Sequence, residues 1–209
     1  MNCFDIHSHK PSPRTVVSLS ATGDESLPPE GTLFSVGIHP WDSATCTDTE
    51  HLYRMAALPG CVMIGEAGID KLRGAPVDIQ KELLKTHIQL SEQLQKPLLL
   101  HTVRATDEII ALHKELRPEM PWIWHGFRGN AHTAEMLLKR GFYLSIGERF
   151  NADAVAAIPD DRLLVETDCS RLTIQDIVRN VAETRHDTPA HLAEITSQNA
   201  RTLLGKVCL

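Results

Sequence analysis

Along this chain apolar residues gather into short unbroken runs and seldom alternate with polar ones. Eight such runs, Cys3–His7, Thr15–Ser20, Leu33–His39, Cys61–Gly65, Pro97–His101, Trp122–His125, Phe142–Gly147 and Leu163–Thr167, predict strands. Segments such as VMIGE, PLLLH and RLLVE carry apolar side chains toward both faces, the pattern of strands buried on both sides in a parallel sheet. Between the later runs apolar residues recur at three- and four-residue spacing, predicting helices over Val77–Gln95, Thr106–Leu116 and Ala131–Lys139. Shorter helices follow over Asp48–Ala57, Ala152–Ile158 and Ile174–Glu183, and a closing helix over Pro189–Leu204. Strand and helix therefore alternate, and eight strands favour a (β/α)8 TIM-type barrel over an open doubly wound sheet.

The front of the chain departs from that scheme. Only Lys10–Arg14 separates the first two strands, and Ala21–Thr32, with Gly23, Pro28, Pro29 and Gly31, reads as loop. A crossover between parallel strands normally needs a dozen or more residues. One or two early outer helices are therefore expected to be missing, leaving a flank for the C-terminal segment or a second copy to cover. The form in solution is expected to be a monomer, or a homodimer through that flank.

Composition narrows the class. A length of 209 residues suits a single domain over 1–209, given a soft prior of ~150 residues per domain. No apolar run approaches the ~20 residues of a membrane span. The start, MNCFDIHSHK, lacks the basic and apolar regions of a secretory signal, so a soluble cytoplasmic protein without membrane partners is expected. Cys3, Cys46, Cys61, Cys169 and Cys208 form an odd set without a CxxC pair, which argues for reduced thiols and against a disulfide framework or zinc knuckle. The net charge of −6 offers no general attraction for nucleic acid, so a polyanionic substrate would be held by local cations or metal.

Candidate chemistry collects where the strands end. Five of the eleven histidines, His7, His9, His39, His101 and His125, fall at the downstream ends of predicted strands, as do Glu66 and Asp168, the positions that barrel enzymes use for their sites. His7 and His9 are two apart, so an extended strand projects both to one face, with Asp5 one layer deeper. Singly each has a plainer explanation: an HxH pair on the surface, a core histidine with satisfied hydrogen bonds, a carboxylate capping a helix. Jointly they place costly polar groups at the ends of otherwise apolar strands. Nitrogen and carboxylate ligands from several strands suit Zn²⁺, Mn²⁺, Fe²⁺ or Ni²⁺ better than Mg²⁺, and so many ligands suit two ions that activate water for hydrolysis.

Taken in order, DIHSH, GIHPW, IGEAGID, LLLHTVRA, WHGFRGN, LLVETDCS and SQNARTLLG resemble the successive signature blocks of the TatD family of metal-dependent hydrolases. The resemblance spans nearly the whole chain. It implies an amidohydrolase-like barrel with deoxyribonuclease or phosphodiesterase activity and two divalent ions, Zn, Mg or Mn. It further implies metal roles for His7, His9, His101, His125 and Asp168, a bridging role for Glu66, and a contact from His39 to the scissile phosphate. The chain departs from the family pattern at Thr102-Val103, where a substrate-facing arginine is either absent or moved to Arg104, at Arg128 in GFRG, whose cation can substitute for it, and at Lys71 in GIDK.

In the reaction so implied, Asp168 positions water and takes its proton, with Glu66 and His39 assisting. His39, Arg104, Arg128 and Lys71 hold the oxygens of a nucleic acid or small phosphoester. Two alternatives remain. One is hydrolysis of a small amide, lactone or phosphotriester in an apolar pocket of Trp41, Trp122 and Trp124; the other is a degenerate barrel serving as a binding subunit.

Overall fold

The computed structural model describes residues 3–22, 28–46 and 49–205. Its eight strands are β1 (Asp5–Ser8), β2 (Thr15–Ser20), β3 (Phe34–Gly37), β4 (Cys61–Asp70), β5 (Leu98–Val103), β6 (Trp122–Trp124), β7 (Tyr143–Ile146) and β8 (Leu163–Val165). They form one sheet in sequence order, and Ser8 bridges in parallel to Asp168 just past β8. This is the connectivity of a TIM-type (β/α)8 barrel. Among the described residues the α-helices are α1 (Glu50–Ala56), α2 (Val77–Leu94), α3 (Thr106–Leu116), α4 (Ala131–Leu138), α5 (Ala152–Ala157), α6 (Ile174–Thr184) and α7 (Pro189–Leu204). Among the described residues no helix lies between β1 and β2 or between β2 and β3, as the short, Gly- and Pro-rich spacers predict. Gly23 of the second spacer and Cys208 lie outside the described residues.

By its contacts the chain divides into two compact halves, one of Met1–Val17 with Ile123–Leu209 and one of Ser18–Trp122. The first half has its core where α6 and α7 bury Ile177, Val178, Val181 and Leu192 beside Leu163, Leu164 and Val165 of β8. Thr173 and Asp176 close a reciprocal capping box at the start of α6, which satisfies otherwise orphaned backbone donors. At the other end of this half, Phe4 N–H donates to Ser197 Oγ on α7 at 3.1 Å, so the closing helix holds the entry to β1.

In the second half β4 is ten residues long and buried throughout, five residues longer than the apolar run alone predicts. Helix α2 packs on it through Leu84 and Ile88. His87 of α2, fully buried, accepts from Ile38 N–H at 2.9 Å through Nε2, and its Nδ1 lies 2.8 Å from the Leu83 carbonyl. Burial pushes its pKa down to about 4. Cys3 in one half and Cys61 in the other are free thiols, both raised to about 11 by burial. No helix among the described residues is long and apolar enough to cross a membrane.

Candidate metal centre

Each half gathers its own set of imidazoles and carboxylates at the C-terminal ends of its strands. In the first half, Asp168 Oδ1 lies 3.6 Å from His7 Nε2 and 3.5 Å from His9 Nε2. The imidazole of His125 stands 4.8 Å from that of His7, edge to face. Backbone bonds fix the set: Asp168 N–H donates to His7 O at 3.0 Å and His9 N–H to Asp168 O at 3.3 Å. Asp168 adopts φ +49°, a left-handed conformation that aspartate tolerates better than most residues and that recurs at functional sites. Below it Asp5 is buried and accepts from Thr167 N–H and Oγ–H at 3.0 and 2.6 Å. Burial pushes Asp5 up to about 6 despite those bonds.

In the second half, Glu66 Oε1 lies 3.1 Å from His101 Nδ1 and 3.5 Å from His39 Nε2, and the two imidazoles are 4.2 Å apart. Glu66 sits where the register of β4 against β5 shifts, between Ile64 and Ala67, and such an irregularity re-aims a side chain. Gly65 precedes it with φ +128°, and a Cβ there would fall 2.3 Å from Leu99 O, so only glycine fits. His39 Nδ1 accepts from Trp41 N–H at 3.2 Å, which places the proton of a neutral His39 on Nε2.

Behind each set stands a buried carboxylate that sequence reasoning missed. Glu166, wholly buried, accepts from Gly126 N–H at 2.8 Å, and His125 Nδ1 lies 3.2 Å from the same Oε1. Asp70 Oδ2 lies 3.6 Å from His101 Nε2 and accepts the Trp41 indole N–H at 2.7 Å. Although burial pushes Asp70 upward, the bonds from Trp41 and Leu72 N–H outweigh it and hold its carboxyl below the usual range. Both had a signal in the sequence, since Glu166 is two residues before Asp168 and Asp70 four after Glu66. On an extended strand those spacings share a face. Cys169, exposed, also groups with His9 and Asp168 as a possible ligand.

The donor sets fit divalent ions. Separations of 3.5–3.6 Å between imidazole nitrogen and carboxylate oxygen exceed a good hydrogen bond. They are close to the roughly 3–3.5 Å between neighbouring ligands that each sit about 2.0–2.2 Å from one ion. The groups His9–Asp168–Cys169 and His39–Glu66–His101 each bring their ligand atoms within 4.8 Å of one another. Donation of His125 Nδ1–H to Glu166 would leave Nε2 as the lone-pair nitrogen, the usual carboxylate–histidine–metal pattern.

The three predicted cations are placed differently. Arg128 is exposed and lines a cleft of about 180 Å³ with Glu166, Asp168 and Arg149. Arg104 is exposed at the end of β5 with φ +54°. Lys71 Nζ is 2.7 Å from Glu108 Oε1 of α3. Of the three tryptophans, Trp122 and Trp124 are buried at 1% and 6% exposure, whereas Trp41 is 49% exposed.

A family model described as TatD related DNase matches residues 25–205. Over 193 residues the chain is 32% identical to the metal-dependent hydrolase YabD of Bacillus subtilis, covering 81% of this chain and 76% of that protein. Over 202 residues it is 31% identical to the 3'-5' ssDNA/RNA exonuclease TatD of a Rahnella species, covering 82% and 76% respectively. Among solved structures, the TatD homolog YJJV of Escherichia coli matches 98% of this chain and 99% of its own with a TM-score of 0.80. At 20% identity that likeness shows the barrel fold.

Proposed function

The chain belongs to the TatD family of metal-dependent hydrolases, and from that premise we propose a phosphodiesterase that cleaves single-stranded nucleic acid. The observation that carries this is the donor spacing: imidazole nitrogens and carboxylate oxygens of the proposed ligands converge at 3.5–3.6 Å around Asp168 and at 3.1 Å between His101 and Glu66. The proposed ligands are His7, His9, His125 and Asp168 from one half and Glu66 and His101 from the other, serving two ions of zinc, manganese or magnesium. When bound, such ions polarise a phosphoryl oxygen and make water acidic enough to supply a nucleophile near neutral pH.

The chain's own residues do the rest. Asp168, held by its backbone to His7 and His9, orients the attacking water and accepts its proton. His39 is better placed as a donor than as a ligand, because a metal-bound imidazole normally donates its second nitrogen's proton, whereas His39 Nδ1 accepts one from Trp41. Its Nε2–H is thus available to a phosphate oxygen. Glu166 fixes the tautomer of His125, and Arg128 and Arg104 supply positive charge to the strand. Trp122 and Trp124 are buried, which takes two walls from an apolar pocket for a small neutral substrate. The buried free thiols Cys3 and Cys61 suit the reducing cytoplasm. No step requires a second copy, so a monomer suffices.

The test is turnover of single-stranded oligonucleotides by the protein loaded in turn with Zn²⁺, Mn²⁺ and Mg²⁺, against the same protein treated with chelator and the Asp168→Asn variant. Metal-dependent cleavage that the variant lacks is the expected result. Equal rates in all samples would overturn the proposal.

A further inference from the structure

Trp41 has no task in the mechanism above, yet it is mounted with unusual care. It lies in the 3₁₀ turn Pro40–Asp42 that follows β3, two residues past His39. The edge-to-face ring distances are 4.7 Å to His39 and 6.0 Å to His101, while 49% of the residue stays exposed. Its N–H is tied to Asp70 at 2.7 Å. The loop after β4 is in turn locked to the same turn: Ala75 N–H donates to Ser43 Oγ at 2.9 Å and Ser43 Oγ–H to Pro40 O at 2.5 Å. Gly74 approaches so closely, at φ +84°, that a Cβ would sit 1.9 Å from Pro40 O. Gln80, buried on α2, holds the loop from beneath: its Nε2, with two hydrogens to share, lies 2.7–3.0 Å from the carbonyls of Asp70, Arg73 and Ala75, and its Oε1 accepts from Asp70 N–H. The loop carries Arg73, whose guanidinium carbon is 4.3 Å from the Trp41 ring centroid, and the 60% exposed Leu72.

A solitary exposed tryptophan is ordinary on a protein surface. A pinned one beside hydrolytic ligands is different, because fixing an indole in water gains the fold little, while a rigid aromatic face lowers the ordering cost of whatever stacks on it. Nucleobases stack on such faces regardless of sequence, and arginine adds cation–π and phosphate contacts. We propose that Trp41 and Arg73 form a stacking platform that seats a nucleobase next to the scissile phosphate, so that the substrate is recognised as an unpaired strand. The platform rests on the phosphodiesterase reading, and the experiment separates the two.

The full-length, metal-loaded protein is given an oligothymidylate and the same strand with abasic sites at the cleaved end. Fluorescence of Trp41 is titrated with both strands, Trp122 and Trp124 being buried. Stacking is worth about 1–3 kcal/mol per base, so Trp41→Ala should raise KM for the base-bearing strand roughly 5- to 150-fold. It should leave the abasic strand within about twofold, and kcat should move less than KM. Trp41→Phe should recover most of the affinity, and Arg73→Ala should fall between. Quenching by the base-bearing strand alone supports the platform. Equal KM for both strands in the parent, or equal losses on both in Trp41→Ala, would overturn it, the latter marking a merely structural role through Asp70 and His101. If the parent cleaves neither strand, the phosphodiesterase reading fails, and the fluorescence titration decides the platform alone.

Discussion

The two halves of the molecule present the same chemical kit with different backing. Each offers imidazoles, a carboxylate between them, and a second carboxylate behind one imidazole. In the half built on β1 and β8 that second carboxylate, Glu166, is sealed from solvent and bonded to Gly126 N–H. In the half built on β4 and β5 it is Asp70, tied through 2.7 Å to a half-exposed indole. A supporting carboxylate that meets only backbone and imidazole serves the metal alone. One that also holds an aromatic ring couples metal ligation to whatever touches that ring.

The largest effects should be common to both halves. Asp168→Asn and Glu66→Gln each replace a proposed charged ligand, and each is expected to lower kcat by about 10²–10⁴-fold, as chelation does. Metal restored at a hundred times its dissociation constant should stabilise the parent by about 2.7 kcal/mol, read as a rise in melting temperature. Should either variant keep parental turnover and metal affinity, that half is dispensable and the symmetry of the comparison fails.

An intermediate effect separates the halves. Glu166→Gln should weaken metal affinity about 10- to 100-fold, measured by calorimetry, and should slow base-bearing and abasic strands alike. Asp70→Asn should weaken metal binding less and penalise the base-bearing strand more, because Trp41 loses the charged acceptor that pins it. Identical profiles for the two variants would mean that Asp70, too, supports only its histidine.

How much of this was legible beforehand follows from the same contrast. The eight strands were readable because burial on both faces leaves continuous apolar runs, and Thr106–Leu116 and Pro189–Leu204 match the observed helices residue for residue. The predicted strand stops at Gly65 because the unbroken apolar run ends there, whereas β4 continues through Glu66 and Gly68 to Asp70. In the fold, glycine is required there by close approach to Leu99 O and His101 O. The ligand candidates stood out as polar endings of apolar strands. Glu166 and Asp70 did not, since a carboxylate on the same face as a ligand gains meaning only when the imidazole of another strand arrives beside it. Trp41 read as a pocket wall, because one-dimensional spacing cannot tell a pinned exposed indole from the buried Trp122 and Trp124.

The smallest effect sharpens the comparison through two histidines, one per half. His87, buried on α2, has its pKa lowered to about 4 by burial. The unfolded chain then binds the proton first, so the stability of the parent should be complete above pH 6.5 and decline as pH falls toward about 4. The slope is at most about 1.4 kcal/mol per pH unit from this group. His191, on α7 of the other half, is raised by its hydrogen bond to Asp187. Its contribution has the opposite sign, present below pH 6.5 and lost as pH rises through the folded value, but the pair is solvent-exposed and screened. Urea unfolding at pH 7, 5.5 and 4.5 should therefore give a flatter pH dependence for His87→Gln than for the parent, every other group cancelling in the difference. His191→Gln should leave the parental curve unchanged. A parental slope in His87→Gln would place the acid sensitivity elsewhere and remove His87 as the mark that distinguishes the β4 half.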